Sequence, residues 1–219
     1  MYRVGYIDDE PTQFENYRRS LQRRCKELEL VLIDDCESKQ DILDKIYEKQ
    51  IDVLLIDYKM VKSYGFNGTT LINYINDSMR DIQCFIMTAV DTEQITDGLV
   101  AERDKYSKNI FDTEAADPQK EAELRDFIQV LLESAKVFQV RRQQKLDRYR
   151  ELLDKKHQGE LGADEEEFLE LYKVLSSYGM VEKLPKNMLD SKFEERLQRI
   201  LELGSAIISE HKDGIESGK

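Results

Sequence analysis

Two hydrophobic periods alternate along the first half of the chain. Short apolar runs, Val4-Gly5-Tyr6-Ile7, Val53-Leu54-Leu55-Ile56 and Cys84-Phe85-Ile86-Met87, are separated by stretches with apolar residues three and four apart. Continuous runs of this length read as strands buried on both faces, and the 3–4 spacing reads as helix. The pattern predicts strands over 3–8, 29–33, 53–57, 83–88 and 107–111. It predicts helices over 12–28, 41–49, 69–77 and 91–104, the last with few apolar positions and Gly98 in its middle. A polar loop spans 58–68. Strands alternating with helices imply a five-stranded parallel, doubly wound α/β sheet with helices on both faces.

The second half carries helical period only. Pro118 fits the first turn of a helix, where its missing N–H costs nothing. Leu124, Phe127, Ile128, Leu131, Leu132, Ala135 and Phe138 form a wide apolar stripe suited to packing on a sheet. The helical pattern runs on through Leu146, Tyr149, Leu152 and Leu153 with no breaker before Gly159. Leu124, Leu131, Phe138 and Leu152 fall at multiples of seven, with Lys145 interrupting, which suggests a coiled-coil extension. Asp164 with Glu167 resembles a capping box opening a helix through Phe168, Leu171, Tyr172 and Leu175 to Gly179. A turn at Leu184-Pro185-Lys186-Asn187 and a last helix marked by Phe193, Leu197, Ile200, Leu201, Leu203 and Ile207 follow, with a frayed tail from His211. The expected division is an α/β domain over 1–140 and an all-α extension over 141–219, continuous with the domain's last helix.

Composition narrows the classes. Charged residues are 36% of the chain, above the roughly 25% of an average domain, so the surface is strongly solvated. Residues 1–118 hold 15 Lys+Arg against 24 Asp+Glu, net −9, and 119–219 hold 18 against 21, net −3. Neither half has the basic excess of a general polyanion binder. Cys25, Cys36 and Cys84 are odd in number and widely spaced, as expected of free thiols in a reducing compartment. No apolar run approaches 18 residues, and Met1-Tyr2-Arg3 leads straight into the first strand. A cytoplasmic protein without membrane contact is the expectation.

The chemistry gathers at strand ends. Ligands of open α/β sheets bind beyond the carboxyl ends of the strands. There the pattern delivers Asp8-Asp9, Asp57 and the hydroxyl of Thr88. A buried unpaired carboxylate is costly, so Asp57 at the end of an apolar strand is a poor core filler. Three acids at adjacent strand ends suit a hard divalent cation, and a carboxylate beside it is a candidate nucleophile toward a phosphoryl group.

These motifs resemble the receiver domain of two-component response regulators, over about residues 1–140. The carrying residues are Ile7-Asp8-Asp9-Glu10-Pro11 after the first strand, Leu54-Leu55-Ile56-Asp57-Tyr58-Lys59-Met60 at the third, and Ile86-Met87-Thr88-Ala89 at the fourth. The resemblance implies a flavodoxin-like fold with Asp57 as phosphoacceptor. It implies Mg2+ held by Asp8, Asp9, Asp57 and the backbone carbonyl of Lys59, with Thr88 binding a phosphoryl oxygen. It also implies a lysine at the end of the fifth strand. Lys108 fills that role if the strand ends there; if Asn109-Ile110-Phe111 is the strand core, the lysine is absent. The family's switch aromatic is then Tyr106 or Phe111. Val61 stands where a proline is usual, and the following loop is about three residues longer than usual, with Asn67-Gly68 standing where an Asp-Gly is common. A sensor histidine kinase is the implied phosphoryl donor. The implied output is a protein partner of the C-terminal helices or a second copy of the chain. The protein itself would be a phosphoacceptor without an output enzyme.

Competing readings are weaker. A DNA-binding regulator needs a recognition helix rich in Arg, Lys, Asn or Gln, and the C-terminal region shows none. An enzymatic output lacks a Gly-rich phosphate loop, a nucleophile triad or a metal cluster after residue 155. Asp34-Asp35 reads as a solvated loop and Cys84 as packing. His157 and His211 lie at a helix end and in a tail, poor places for phosphotransfer. Arg141, Arg142, Lys145, Arg148 and Arg150 interleave with acids, as on a solvated helix face.

Overall fold

The computed structural model describes residues 1–112 and 117–182. Its strands are β1 (Tyr2–Ile7), β2 (Leu28–Leu32), β3 (Val53–Asp57), β4 (Gln83–Thr88) and β5 (Lys105–Ser107). The helices are α1 (Phe14–Arg24), α2 (Lys39–Glu48), α3 (Val61–Tyr64), α4 (Gly68–Ser78), α5 (Pro118–His157) and α6 (Glu165–Ser177). The sheet has the order β2-β1-β3-β4-β5 with every neighbouring pair parallel. Sequence order reverses direction next to β1, so the crevice of this doubly wound sheet opens between the carboxyl ends of β1 and β3.

Every residue of β3 is buried, as expected for the central strand of a two-sided sheet. On one face Phe14, Tyr17 and Leu21 of α1 pack with Leu124, Phe127 and Leu131 of α5 over Val4, Tyr6, Val53 and Leu55. On the other, Ile42 and Ile46 of α2 pack with Leu71, Ile72 and Ile75 of α4 over Ile7, Leu54 and Ile56. Arg24 pairs with Glu121 at 2.6 Å and joins α1 to the start of α5.

Two expectations fail between β4 and α5. The helix expected over 91–104 does not form; the segment holds two single 3-10 turns, Thr92–Gln94 and Glu102–Asp104. Ile95 is its single fully buried apolar side chain, so there is little burial to drive a helix. Asp97 bonds the Thr69 hydroxyl and the Leu99 N–H, an alternative to helical hydrogen bonding that short polar side chains favour. Gly98 sits at φ +69°, outside the helical region. The fifth strand is Lys105–Ser107 rather than 107–111, and Lys108–Phe111 is a 3-10 turn. Asn109-Ile110-Phe111 is therefore not a strand core, and Lys108 directly follows β5. The polar loop over 58–68 is also shorter than expected, because Val61–Tyr64 closes one helical turn.

α5 has 40 residues, and residue 140 lies inside it. Asp117 caps it through the Gln119 N–H, and Pro118 takes the first turn. Its apolar stripe serves two tasks in succession. Leu124 to Ala135 cover the sheet. Leu146, Tyr149 and Leu152 are buried where α6 returns alongside, with Tyr149 stacked on Phe168 at 5.1 Å. Arg148 pairs with Glu167 and Lys155 with Asp164, so α6 runs antiparallel to α5. These pairs also undo the expected capping box: the Asp164 and Glu167 carboxylates are drawn to α5, and Asp164 makes no side-chain cap bond.

α6 ends against the α/β core. Tyr178 is 3% exposed, packs edge-on against Tyr47 at 4.9 Å and lies 5.7 Å from Phe138. Its hydroxyl meets the Met79 sulfur at 3.7 Å, and its carbonyl accepts from Gln50 at 2.5 Å. Arg142 stacks over both rings, and Gln139 donates to Asp52. Gln50 and Asp52 precede β3, so α6 docks at the end of the sheet opposite the carboxyl edge. Met1–Met180 form one compact unit. The turn at 184–187, the helix over 193–207 and the tail from His211 lie outside the described residues.

Truncating Tyr178 to Ala should cost about 3 kcal/mol, the range for removing a buried aromatic ring, and a urea unfolding titration measures it. The Arg24–Glu121 pair should show in acid. Hydrogen bonds from Arg24 and then Arg125 hold Glu121 down at about 2, against an ordinary 4.5. A depressed carboxylate contributes stability above its unfolded pKa and loses it as pH falls toward the folded value. Melting temperatures of wild type and Glu121→Gln should therefore differ at neutral pH and converge between about pH 4.5 and 2.

Candidate functional site

Three strands deliver the charged groups. In the β1–β3 register Ile7 faces Ile56, so Asp8 and Asp57 each follow an apolar residue at the same level of the sheet. In the β4–β5 register Thr88 faces Ser107, which puts Lys108 one step beyond Thr88. Carboxylate oxygens of Asp8, Asp9 and Asp57 all lie within 4.8 Å of one another. Asp8 and Asp57 are each 5% exposed, and Asp9 is half-buried.

Lys108 closes the cluster. Its Nζ lies 2.7 Å from Asp8 Oδ2 and 2.8 Å from Asp57 Oδ1. Burial pulls the ammonium toward neutrality, but hydrogen bonds to Asp57 and Asp8 outweigh it and hold its pKa above the ordinary lysine value. Burial raises Asp57 above the usual carboxylate range, and the bond and charge of Lys108 pull against it. The backbone of Lys59, two residues beyond the end of β3, also favours the charged Asp57 carboxylate.

The Asp8 carboxylate is the most heavily bonded. Oδ2 accepts from the Tyr6 hydroxyl at 2.5 Å as well as from Lys108, and Oδ1 accepts from the Glu10 N–H at 3.0 Å. Thr88 is 1% exposed, and its Oγ1 accepts from the Val90 N–H at 3.1 Å. Tyr6, Asp8, Glu10, Thr12, Gln13, Tyr17, Ala89, Lys108, Asn109 and Asp112 line a cleft of about 520 Å3 that opens beside the cluster.

The structure brings Asp8, Asp9, Asp57 and Lys108 together and sets Thr88 and Lys59 at the adjoining strand ends. Of the two aromatic candidates, Tyr106 lies on β5 against Phe127 at 4.2 Å. Phe111 lies in the turn after it, stacked on Tyr17 at 4.6 Å. Asp34 and Asp35 stay apart, their carbonyls bonded by Lys45. The basic cluster on α5 is engaged with acids: Arg141 and Lys145 with Asp81, Arg142 with Asp52, Arg148 with Glu151 and Glu167, and Arg150 with Asp147. Cys84 is buried, which pushes its thiol up to about 12.

Two supporting groups escaped the sequence reading. Tyr6 appeared only as a strand residue. Gly68 appeared as the end of the polar loop and in the place of a common Asp-Gly, with no reason for the glycine, yet a Cβ there would lie 2.1 Å from the Asp57 carbonyl oxygen. The Gly68 N–H bonds the Tyr58 carbonyl at 3.0 Å, so the start of α4 rests directly on the end of β3. A strand-end acid followed about ten residues later by a glycine opening a helix is the pattern that would have found it. Gly68→Ala should displace the Asp57 backbone and lower stability by about 2 kcal/mol, in the range for forced overpacking. Thermal melting reads this loss, which should exceed that of Ala at Gly98, where no atom lies within 4 Å of an added Cβ.

Residues 4–112 match the family model described as the response regulator receiver domain. No curated protein matches the chain. Among solved structures, the response regulator protein TrrA of Thermotoga maritima in complex with Mg2+-BeF is 20% identical with a TM-score of 0.42, covering 58% of this chain and 99% of that one. A CheY-like response regulator receiver domain protein from Methanospirillum hungatei is 15% identical, TM-score 0.43, covering 62% and 98%. Another Thermotoga maritima response regulator is 17% identical, TM-score 0.41, covering 59% and 98%. With the strand order and the acids at its carboxyl edge, the family match identifies residues 4–112 of this chain as a response regulator receiver domain.

Proposed function

We propose that the chain is a phosphoacceptor switch whose site is Asp57. The observation that carries this reading is the pairing of the buried Asp57 carboxylate with Lys108 next to Asp8 and Asp9. Lys108 pairs with two of the three acids, and the uncompensated negative charge suits a hard divalent cation held through carboxylate, carbonyl and water oxygens. Asp8, Asp9, Asp57 and the Lys59 carbonyl are the groups that would hold Mg2+. When bound, the ion supplies charge neutralisation for the transferred phosphoryl group.

The residues of the chain divide the remaining work. An Asp57 carboxylate oxygen forms a bond to phosphorus while the bond from phosphorus to the donor's leaving group breaks. Lys108 presents its ammonium, and Thr88 its hydroxyl, to the phosphoryl oxygens of the product. A sensor histidine kinase is the proposed donor. The domain is proposed to extend over 1–140, with 141–219 as an output region that binds a protein partner or a second copy of the chain.

The route to that region is suggested by α5. Thr88 pairs with Ser107 across β4 and β5, Tyr106 of the same strand packs on Phe127, and Phe127 belongs to α5, the helix along which α6 returns. A change at Thr88 or Lys108 would reach α5 through that contact.

Incubation with acetyl phosphate and Mg2+, followed by a phosphate-affinity gel, tests the proposal. The wild type should shift and Asp57→Asn should not; equal shifts would place the phosphoryl group elsewhere. EDTA should abolish the wild-type shift.

A further inference from the structure

Tyr6 is an uncommon guest in the middle of a buried parallel strand. Its side chain is 1% exposed, with the ring between Phe14 at 6.0 Å and Tyr17 at 5.9 Å. Packing alone would accept phenylalanine. A buried hydroxyl requires a partner, and the alternation of a strand puts residues i and i+2 on the same face. Tyr6 and Asp8 hold that relation, and the phenol donates to Asp8 Oδ2 at 2.5 Å.

That bond completes the set around Asp8. The Glu10 N–H holds Oδ1, while Lys108 and Tyr6 converge on Oδ2. The Lys108 bond is shared with Asp57 and the Glu10 bond comes from a loop. Only the Tyr6 donor is anchored in the sheet itself.

We propose that Tyr6 is a positioning residue of the cation site: its hydroxyl fixes the Asp8 carboxylate in the orientation that faces Asp9 and Asp57, and so raises the affinity for Mg2+. This rests on the reading that these three acids hold a divalent ion. Hydrogen-bond partners of ligating carboxylates typically change metal affinity by about 10- to 100-fold.

The test is a titration of the full chain with MgCl2, followed by the backbone amide shifts of Asp9 and Lys59. Wild type, Tyr6→Phe and Phe14→Leu are compared, the last disturbing the same aromatic packing without touching the hydroxyl. Wild type should bind, Tyr6→Phe should bind roughly tenfold more weakly, and Phe14→Leu should match wild type. Equal or tighter binding by Tyr6→Phe overturns the role of the hydroxyl, as does an equal loss in Phe14→Leu, which would trace the effect to packing. No Mg2+ response in wild type would instead overturn the cation reading on which the inference rests. A second readout needs no variant. The Tyr6 hydroxyl proton should be slow to exchange in the wild type and should shift as Mg2+ saturates; a rapidly exchanging or unmoved resonance counts against the proposal.

Discussion

The Lys108 ammonium between the carboxylates of Asp8 and Asp57 is the interaction on which the carboxyl edge of the sheet depends. It joins the ends of β1 and β3 to the residue after β5, 100 positions from Asp8. Two carboxylates this buried repel each other and have lost most of their water, and removing one partner of such a group is far costlier than the pair's net contribution. The ammonium therefore sets where the strand ends stand. It also leaves the cluster short of positive charge, because Asp9 adds a third acid within the same space.

A second constraint works from the opposite end of the sheet. α5 is too long to be used up in covering β1 and β3, and the surplus would expose apolar residues. α6 answers this by returning along it and burying Leu146, Tyr149 and Leu152. Tyr178 then reaches the core beyond α2 and α4, where Gln50 and Arg142 hold it. The helices after the receiver domain are thus bound to its floor while the charged cluster lies on its roof. α5 spans both.

The segment between β4 and β5 departs most from an alternating α/β pattern. Asp97, Thr69 and Gly98 replace a helix with side-chain hydrogen bonds and a left-handed turn. Lys105, nearly buried, ties the segment down by donating to the Ile95 carbonyl and pairing with Glu102. Order there comes from polar bonds rather than apolar burial, and such regions open at lower free energy than packed helices.

Local pattern alone determined the alternating α/β architecture, the bounds of β3 and β4, and the placing of Asp8, Asp9, Asp57 and Thr88 at strand ends. Those features follow from periodicity, which each short segment carries within itself. The lysine was ambiguous because Tyr106-Ser107 and Asn109-Ile110-Phe111 have similar strand propensity, and only pairing with β4 chose between them. The expected helix over 91–104 failed because its few apolar residues found little to bury against. Tyr6, Gly68 and Tyr178 carried no visible role for a related reason. Their partners are a carboxylate that the strand's pleat turns toward the phenol, a carbonyl eleven residues back, and a ring 131 residues away. Periodicity reports which face a residue occupies; what stands opposite that face is decided by tertiary packing.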